Sequence, residues 1–266
     1  ILAIVFTILL VGGFVLIKGL TTGHDVDKDV ALHNPVRVVD KNGVTRNYNY
    51  YLPEKSDEDI PLLVYFHGVR SEGFRDKPVL KGYTGSPLIE TGLIPFCRVN
   101  NIALLEILPS YTYKFMDLDA HGWSPFEKEI DGIEKCIDTI SGKYNIDNNK
   151  IFLAGISAGA VMSNHLANRR PGKYKAIISH SQAYISEDNK VMIPDGKGKK
   201  FGVVLCYTKG DYKNLKDICE KSYKIYKENG YNTVILRDLP PLSHKWSKST
   251  NGRFWRSLLR TGVNFP

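Results

Sequence analysis

The stretch KIFLAGISAGAVMSNHLAN, residues 150–168, decides how this chain folds. From Lys150 to Ala154 it carries Ile151, Phe152 and Leu153 without interruption, the pattern of a strand covered on both faces. From Ala158 to Asn168 it places Val161, Met162, His165 and Leu166 at helical spacing. Between the two lies Gly155-Ile156-Ser157-Ala158-Gly159, a G-x-S-x-G pentapeptide. A strand running straight in and a helix running straight out demand a sharp turn, with small residues flanking the serine. Ser157 then projects from the carboxyl end of the sheet beside a helix N-terminus, where backbone N–H groups favour developing negative charge.

A serine hydroxyl needs a base to become a nucleophile. The chain order that goes with this turn is serine, acid, histidine. Outside the serine's own helix, only His180 and His244 follow Ser157. His244 stands in Pro240-Pro241-Leu242-Ser243-His244-Lys245-Trp246, after the last apolar run, and is assigned as the base. His180, at the end of Ala176 to Ser179, reads as a strand-end residue lining the site. The acid belongs after the strand Phe201 to Tyr207, and Asp211 sits in the turn that ends it. Asp217 is the second choice, although it falls in a helical pattern. One oxyanion donor is the backbone N–H of Ala158. The second comes from Phe66-His67-Gly68-Val69, where Gly68 lets the chain swing toward the reacting carbonyl and Val69 supplies the N–H. His67 reads as a scaffold histidine at the edge of the substrate site. Trp123 and Trp246 read as aromatic neighbours of the cleft, with plain packing an equal reading for Trp123.

Further apolar runs extend the pattern outward: Leu62 to Phe66, Ile102 to Leu108, Ala176 to Ile178, Val203 to Leu205 and Val234 to Leu236. Ile130, Ile133, Ile137 and Ile140 give residues 127–143 one apolar helical face, and further helices follow around Leu215–Tyr226 and Phe254–Leu259. Val36 to Asp40 and Arg46 to Leu52 flank Asn42-Gly43, a β-hairpin signal. A hairpin followed by alternating strands and helices predicts an α/β fold: a mostly parallel central sheet with an N-terminal antiparallel hairpin and helices on both faces.

The chain has 266 residues, 42% hydrophobic, enough for one large core over residues 35–266. Its net charge of +8 comes from scattered lysines and arginines; without a nucleic-acid motif it reads as a solvated basic surface. Residues 1–17 are uncharged, and the run closes at Leu20. That length suits a membrane anchor over 1–20, with an uncleaved or cleaved signal segment or a buried core helix as the alternatives. Residues 21–34 read as a polar tether, and the catalytic part is expected outside the cytoplasm. The four cysteines (Cys97, Cys136, Cys206, Cys219) form no metal-binding pattern. A Cys97–Cys136 disulfide and four free thiols are both open.

Four stretches together resemble the α/β-hydrolase esterases of the polyhydroxybutyrate depolymerase and feruloyl/acetylxylan esterase type. They are Gly43-Val44-Thr45-Arg46-Asn47-Tyr48 leading to Pro53, Pro61 to Gly68, Asn145-Ile146-Asp147 to Gly159, and His244-x-Trp246. The strand before the acid ends Cys206-Tyr207-Thr208 instead of the His-Gly common in that group, and Val69-Arg70-Ser71 replaces its usual small residues. The resemblance implies a Ser157–Asp211–His244 ester hydrolase acting on small or polymeric esters, without metal or cofactor. A peptidase using the same groups, and a silent binding protein on the same scaffold, are the competing readings.

Overall fold

The computed structural model describes residues 33–54, 59–71, 91–115, 118–123, 126–182, 198–240 and 244–263. The segments read as anchor and as most of the tether lie outside them. Among the described residues no helix is long and apolar enough to cross a membrane.

The first two strands form where the Asn-Gly pair turns the chain. β1 (His33–Val39) and β2 (Thr45–Tyr51) pair antiparallel. Gly43 takes φ 77° in the turn, and the Asp40 carboxylate closes it by accepting the N–H groups of Asn42 and Val44. β1 starts at His33, inside the segment read as tether. The register shifts between His33 and Val36, around Pro35, which has no N–H to give to a ladder.

Nine more strands follow: β3 (Ile60–Phe66), β4 (Arg70–Ser71), β5 (Ala103–Leu108), β6 (Tyr111–Phe115), β7 (Leu118–Gly122), β8 (Ile146–Ile156), β9 (Ala176–His180), β10 (Gly202–Thr208) and β11 (Thr233–Leu239). Eight of the eleven strands among the described residues build one sheet in the order β1-β2-β5-β3-β8-β9-β10-β11. β2 is antiparallel to both its neighbours, and the remaining pairs are parallel. The predicted α/β-hydrolase architecture is therefore the observed one. β4, β7 and β6 form a separate three-stranded sheet that the sequence reading did not anticipate.

Helices α1 (Leu93–Val99), α2 (Phe126–Lys143), α3 (Ala158–Arg169), α4 (Lys213–Glu228) and α5 (Asn251–Arg260) cover the sheet. Period-2 alternation in the strands sorts their side chains. Leu62, Val64, Phe66, Leu153, Ile177 and Leu205 enter the main core with Ile133 and Ile137 of α2 and Met162 and Leu166 of α3. Phe152 points the other way, and its ring meets Trp255 of α5, which also meets Phe96 of α1. Each fully buried side chain of this kind contributes about 1.5–3 kcal/mol. All four cysteines are buried and free, which settles the disulfide alternative. Cys97 belongs to α1 and Cys136 to α2, and Cys136 lies in the main core while Cys97 does not.

The hairpin is fastened to the body by charge. The Arg46 side chain is buried and bonds Asp40 through Nε at 3.1 Å and Nη2 at 3.0 Å. Its Nη1 meets the buried Glu129 carboxylate of α2, and Nη2 also reaches the Lys128 carbonyl. A side chain on Gly132 would collide with Arg46, so that glycine leaves the guanidinium its space. Burial pushes the Glu129 carboxyl up to about 7 against the pull of Arg46, as expected where two acids share one cation. Arg46→Met is expected to lose about 3–5 kcal/mol in urea unfolding, because it strands two buried carboxylates. Adding Glu129→Gln should recover part of that loss. Equal stability of Arg46→Met and the wild type would contradict this account.

Candidate active site

Parallel registry brings the strand ends together. Phe66 of β3 pairs with Gly155 of β8, and Ile156 of β8 with His180 of β9. His180 pairs in turn with Cys206 of β10. The segments that leave these strands, 67–69, 157, 181 and 208–211, therefore emerge side by side at the carboxyl edge, where the strand order reverses around β3.

Ser157 occupies the turn between β8 and α3 with φ 54° and ψ −124°, a conformation costly for a residue with a side chain. Packing holds it there. A side chain at Gly155 would strike the Gly159 backbone, and one at Gly159 would strike the Phe66 backbone. The Ser157 N–H donates to the His180 carbonyl at 2.9 Å. The β3 exit loop comes as close: a Cβ on Gly68 would lie 3.3 Å from Ser157 Cβ and 3.5 Å from the Ile156 carbonyl. The loop that carries the Val69 N–H thus passes directly over the serine. Ala158 begins α3, so its N–H is free of the helical ladder.

Asp211 and His244 are joined directly, His244 Nδ1 to Asp211 Oδ1 at 2.6 Å. Asp211 Oδ2 accepts the Ser181 hydroxyl at 2.7 Å and the Thr208 N–H at 2.6 Å. Burial alone would raise this carboxyl. The bonds from His244, Ser181 and Thr208 outweigh it and lower the value from 3.8 to about 2. An ionised Asp211 can only accept, so His244 carries its proton on Nδ1 and leaves the Nε2 lone pair free. Ser157 connects to this pair through His180 and Ser181. Its own hydroxyl bonds neither His244 nor Asp211 among the described residues.

Several sequence assignments change. His180 lies fully buried at the end of β9 and does not line a cleft. Its Nε2 accepts the Ser247 N–H at 3.2 Å, and its ring stacks on Trp246 at 5.2 Å between centroids. Trp246 is itself buried, against Tyr65 and Phe254, with its indole N–H on Asn251 Oδ1. Trp123 is buried too. Its indole N–H donates to the His67 carbonyl at 2.8 Å and its ring packs edge-on against Phe66. All three aromatic groups are supports beneath the site rather than substrate contacts, because each N–H or ring nitrogen is already used by the protein. His67, expected at the edge of the substrate site, is buried, its Nδ1 against the Gly68 carbonyl. Asp217 faces solvent from α4, paired with Lys213. The sequence reading missed Ser181, which stands directly after His180 with φ 60°. It also missed Tyr212, an exposed ring 5.9 Å from the His244 ring.

The lowered Asp211 value ties stability to pH. The folded protein binds this proton more weakly than the unfolded chain, so the stabilisation is complete above about pH 4 and lost as pH falls toward 2. It amounts to about 2 kcal/mol. Urea unfolding of the wild type between pH 6 and pH 2.5 should show this decline, and Asp211→Asn should lack that part of the slope. Parallel curves for the two proteins would refute the assignment.

A family model described as phospholipase/carboxylesterase matches residues 110–251, a span that contains Ser157, Asp211 and His244. No curated protein matches the sequence significantly. Among solved structures, a thermostable esterase superposes with TM-score 0.60 at 17% identity, covering 85% of this chain and 62% of the other. A ferulic acid esterase gives 0.58 at 14% identity, covering 86% and 98%. An acylaminoacyl peptidase of Pyrococcus horikoshii gives 0.57 at 19%, covering 90% and 44%. The chain thus spans about three fifths of the thermostable esterase and less than half of the peptidase. At these identities the superpositions speak for the fold alone, and it is the match over more than half of the sequence that makes this chain a member of the phospholipase/carboxylesterase family of α/β-hydrolases.

Proposed function

We propose that this protein is a serine esterase with Ser157 as nucleophile, His244 as base and Asp211 as the group that orients and stabilises the imidazole. The observation that carries the proposal is the Asp211–His244 bond at the carboxyl edge of the sheet that presents Ser157 on its strained turn. The free Nε2 of His244 takes the serine proton as Oγ attacks the acyl carbonyl. The N–H groups of Ala158 and Val69 receive the oxyanion. Collapse of the tetrahedral species expels the alcohol, which takes its proton from His244. Water then enters and gives a proton to the same nitrogen as its oxygen bonds the acyl carbon; the acid leaves as the C–O bond to Ser157 breaks and Oγ takes its proton back from His244.

For the substrate we propose the ester classes of the enzymes the sequence resembles: hydroxyalkanoate, feruloyl or acetyl-polysaccharide esters. The exposed Tyr212 beside His244 offers a flat face on which an aromatic or sugar group can rest.

The test is a panel of nitrophenyl acetate, feruloyl, acetyl-sugar and hydroxybutyrate esters, with matching anilides. The wild type should hydrolyse esters faster than anilides, and at least one of the natural ester classes should be turned over. Ser157→Ala should lower kcat/KM on the order of a thousandfold or more, and a fluorophosphonate should label the wild type at Ser157. Unchanged turnover in Ser157→Ala, or no labelling, sinks the proposal; faster anilide cleavage makes the protein a peptidase.

A further inference from the structure

The ring of His180 is fully buried, and the acyl-transfer scheme makes no use of it. Its neighbours nevertheless fix its tautomer. The Ser247 N–H approaches Nε2 at 3.2 Å. An amide N–H only donates, so Nε2 holds a lone pair and the ring proton is on Nδ1. Nδ1 lies 2.7 Å from Ser181 Oγ, and that hydroxyl receives the proton as a hydrogen bond. The hydroxyl's own single proton points to Asp211 Oδ2 at 2.7 Å. The chain of bonds therefore runs one way, from Ser247 to His180, to Ser181, to Asp211. On the other carboxylate oxygen Asp211 receives His244.

Two further features fit this arrangement. Ser181 holds φ 60°, a conformation that costs a non-glycine residue about 1 kcal/mol or more; glycine would hold it more cheaply but would lack the hydroxyl. Burial keeps His180 neutral, its value lowered to about 3, so the ring keeps the lone pair that Ser247 needs.

Building on the proposed Ser157–Asp211–His244 centre, we propose that His180 and Ser181 are positioning residues, a buried one-way relay that locks the Asp211 carboxylate and so aims the His244 imidazole. With Oδ1 on His244 and Oδ2 on Ser181 and the Thr208 N–H, the carboxylate cannot turn without breaking bonds on both sides. His180 also anchors the other two segments. Its carbonyl accepts the Ser157 N–H, while its Nε2 and its stacking on Trp246 hold the loop that carries His244. One residue thus keeps the three segments in register, the nucleophile segment through its carbonyl and the acid and base segments through its ring.

The test uses the whole protein with nitrophenyl acetate. Ser157→Ala comes first, since its retaining activity would remove the esterase reading and the relay with it. With that control inactive, Ser181→Ala should lower kcat on the order of tenfold or more, with KM within about twofold. Ser181→Gly, which tolerates the positive φ, should do the same and serves if the alanine variant does not fold. Asp211 faces His244 from its loop, His180 and Ser181 beyond β9, and the thiols of Cys206 and Cys219. Of these, only the Ser181 bond is altered by the substitution. The melting-temperature deficit of the variant should therefore be largest near pH 6 and shrink toward pH 2.5, because the folded variant, lacking the Ser181 bond, takes up the Asp211 proton before the folded wild type does. Nitrogen NMR of the wild-type histidines should find His180 protonated on Nδ1 and bare on Nε2. A kcat within twofold of wild type in both Ser181 variants, a deficit constant with pH, or a proton on His180 Nε2 would each overturn the relay.

Discussion

Ser157 sits where an ordinary residue resists sitting, at φ 54° between a strand and a helix, and much of the architecture exists to hold it there. The turn closes only because Gly159 lets α3 approach the carbonyls of Phe66, at the end of β3, and of His67 just beyond it without side-chain atoms between. That approach sets β3 beside β8 and brings Gly68 within van der Waals reach of the serine. Strain at this one position is therefore opposed by the packing of two buried strands and a helix, and relaxing it would open the core.

A second constraint is electrostatic. Two of the buried carboxylates, Glu129 and Asp211, have opposite outcomes. Glu129 is raised because its burial outweighs the pull of Arg46 and the Ser110 N–H, with the charge of Asp40 adding to the rise. Asp211 is lowered despite burial, because three donors converge on it. The difference lies in depth and in donors together: Glu129 is the more deeply buried, and Asp211 has the more converging donors. It leaves one acid to fasten a hairpin and the other to stay ionised where a neighbouring imidazole needs a permanent negative partner.

Strands covered on both faces and a serine between glycines are strong local signals. β8, α3 and Ser157 were accordingly legible in the sequence, and so were the ends of β10 and β11 from which Asp211 and His244 depart. The roles of Trp123, His180 and Trp246 were not. Each looks like a cleft residue because aromatic and imidazole groups near a reactive serine often face substrate. What decides between the two is whether the polar edge finds an internal partner, and those partners, His67, Ser247 and Asn251, are brought close by the fold. β7 escaped because Leu118-Asp119-Ala120-His121-Gly122 has no strongly apolar face to mark it as a strand. α1 escaped because its segment offered no recognisable period. Ser181 left no signal at all: a serine after a strand is unremarkable until its backbone conformation and its hydrogen bond to an acid are seen.

The four sulfurs carry a practical consequence. All are enclosed in the folded chain, and burial raises every one of their thiols, Cys136 to about 12. The thiolate is the form that alkylating reagents attack, so the native protein is silent toward maleimide or iodoacetamide while an opened molecule reacts at up to four places. Mass added by a brief alkylation pulse therefore counts open molecules directly, and does so without touching the hydroxyl chemistry at the sheet edge.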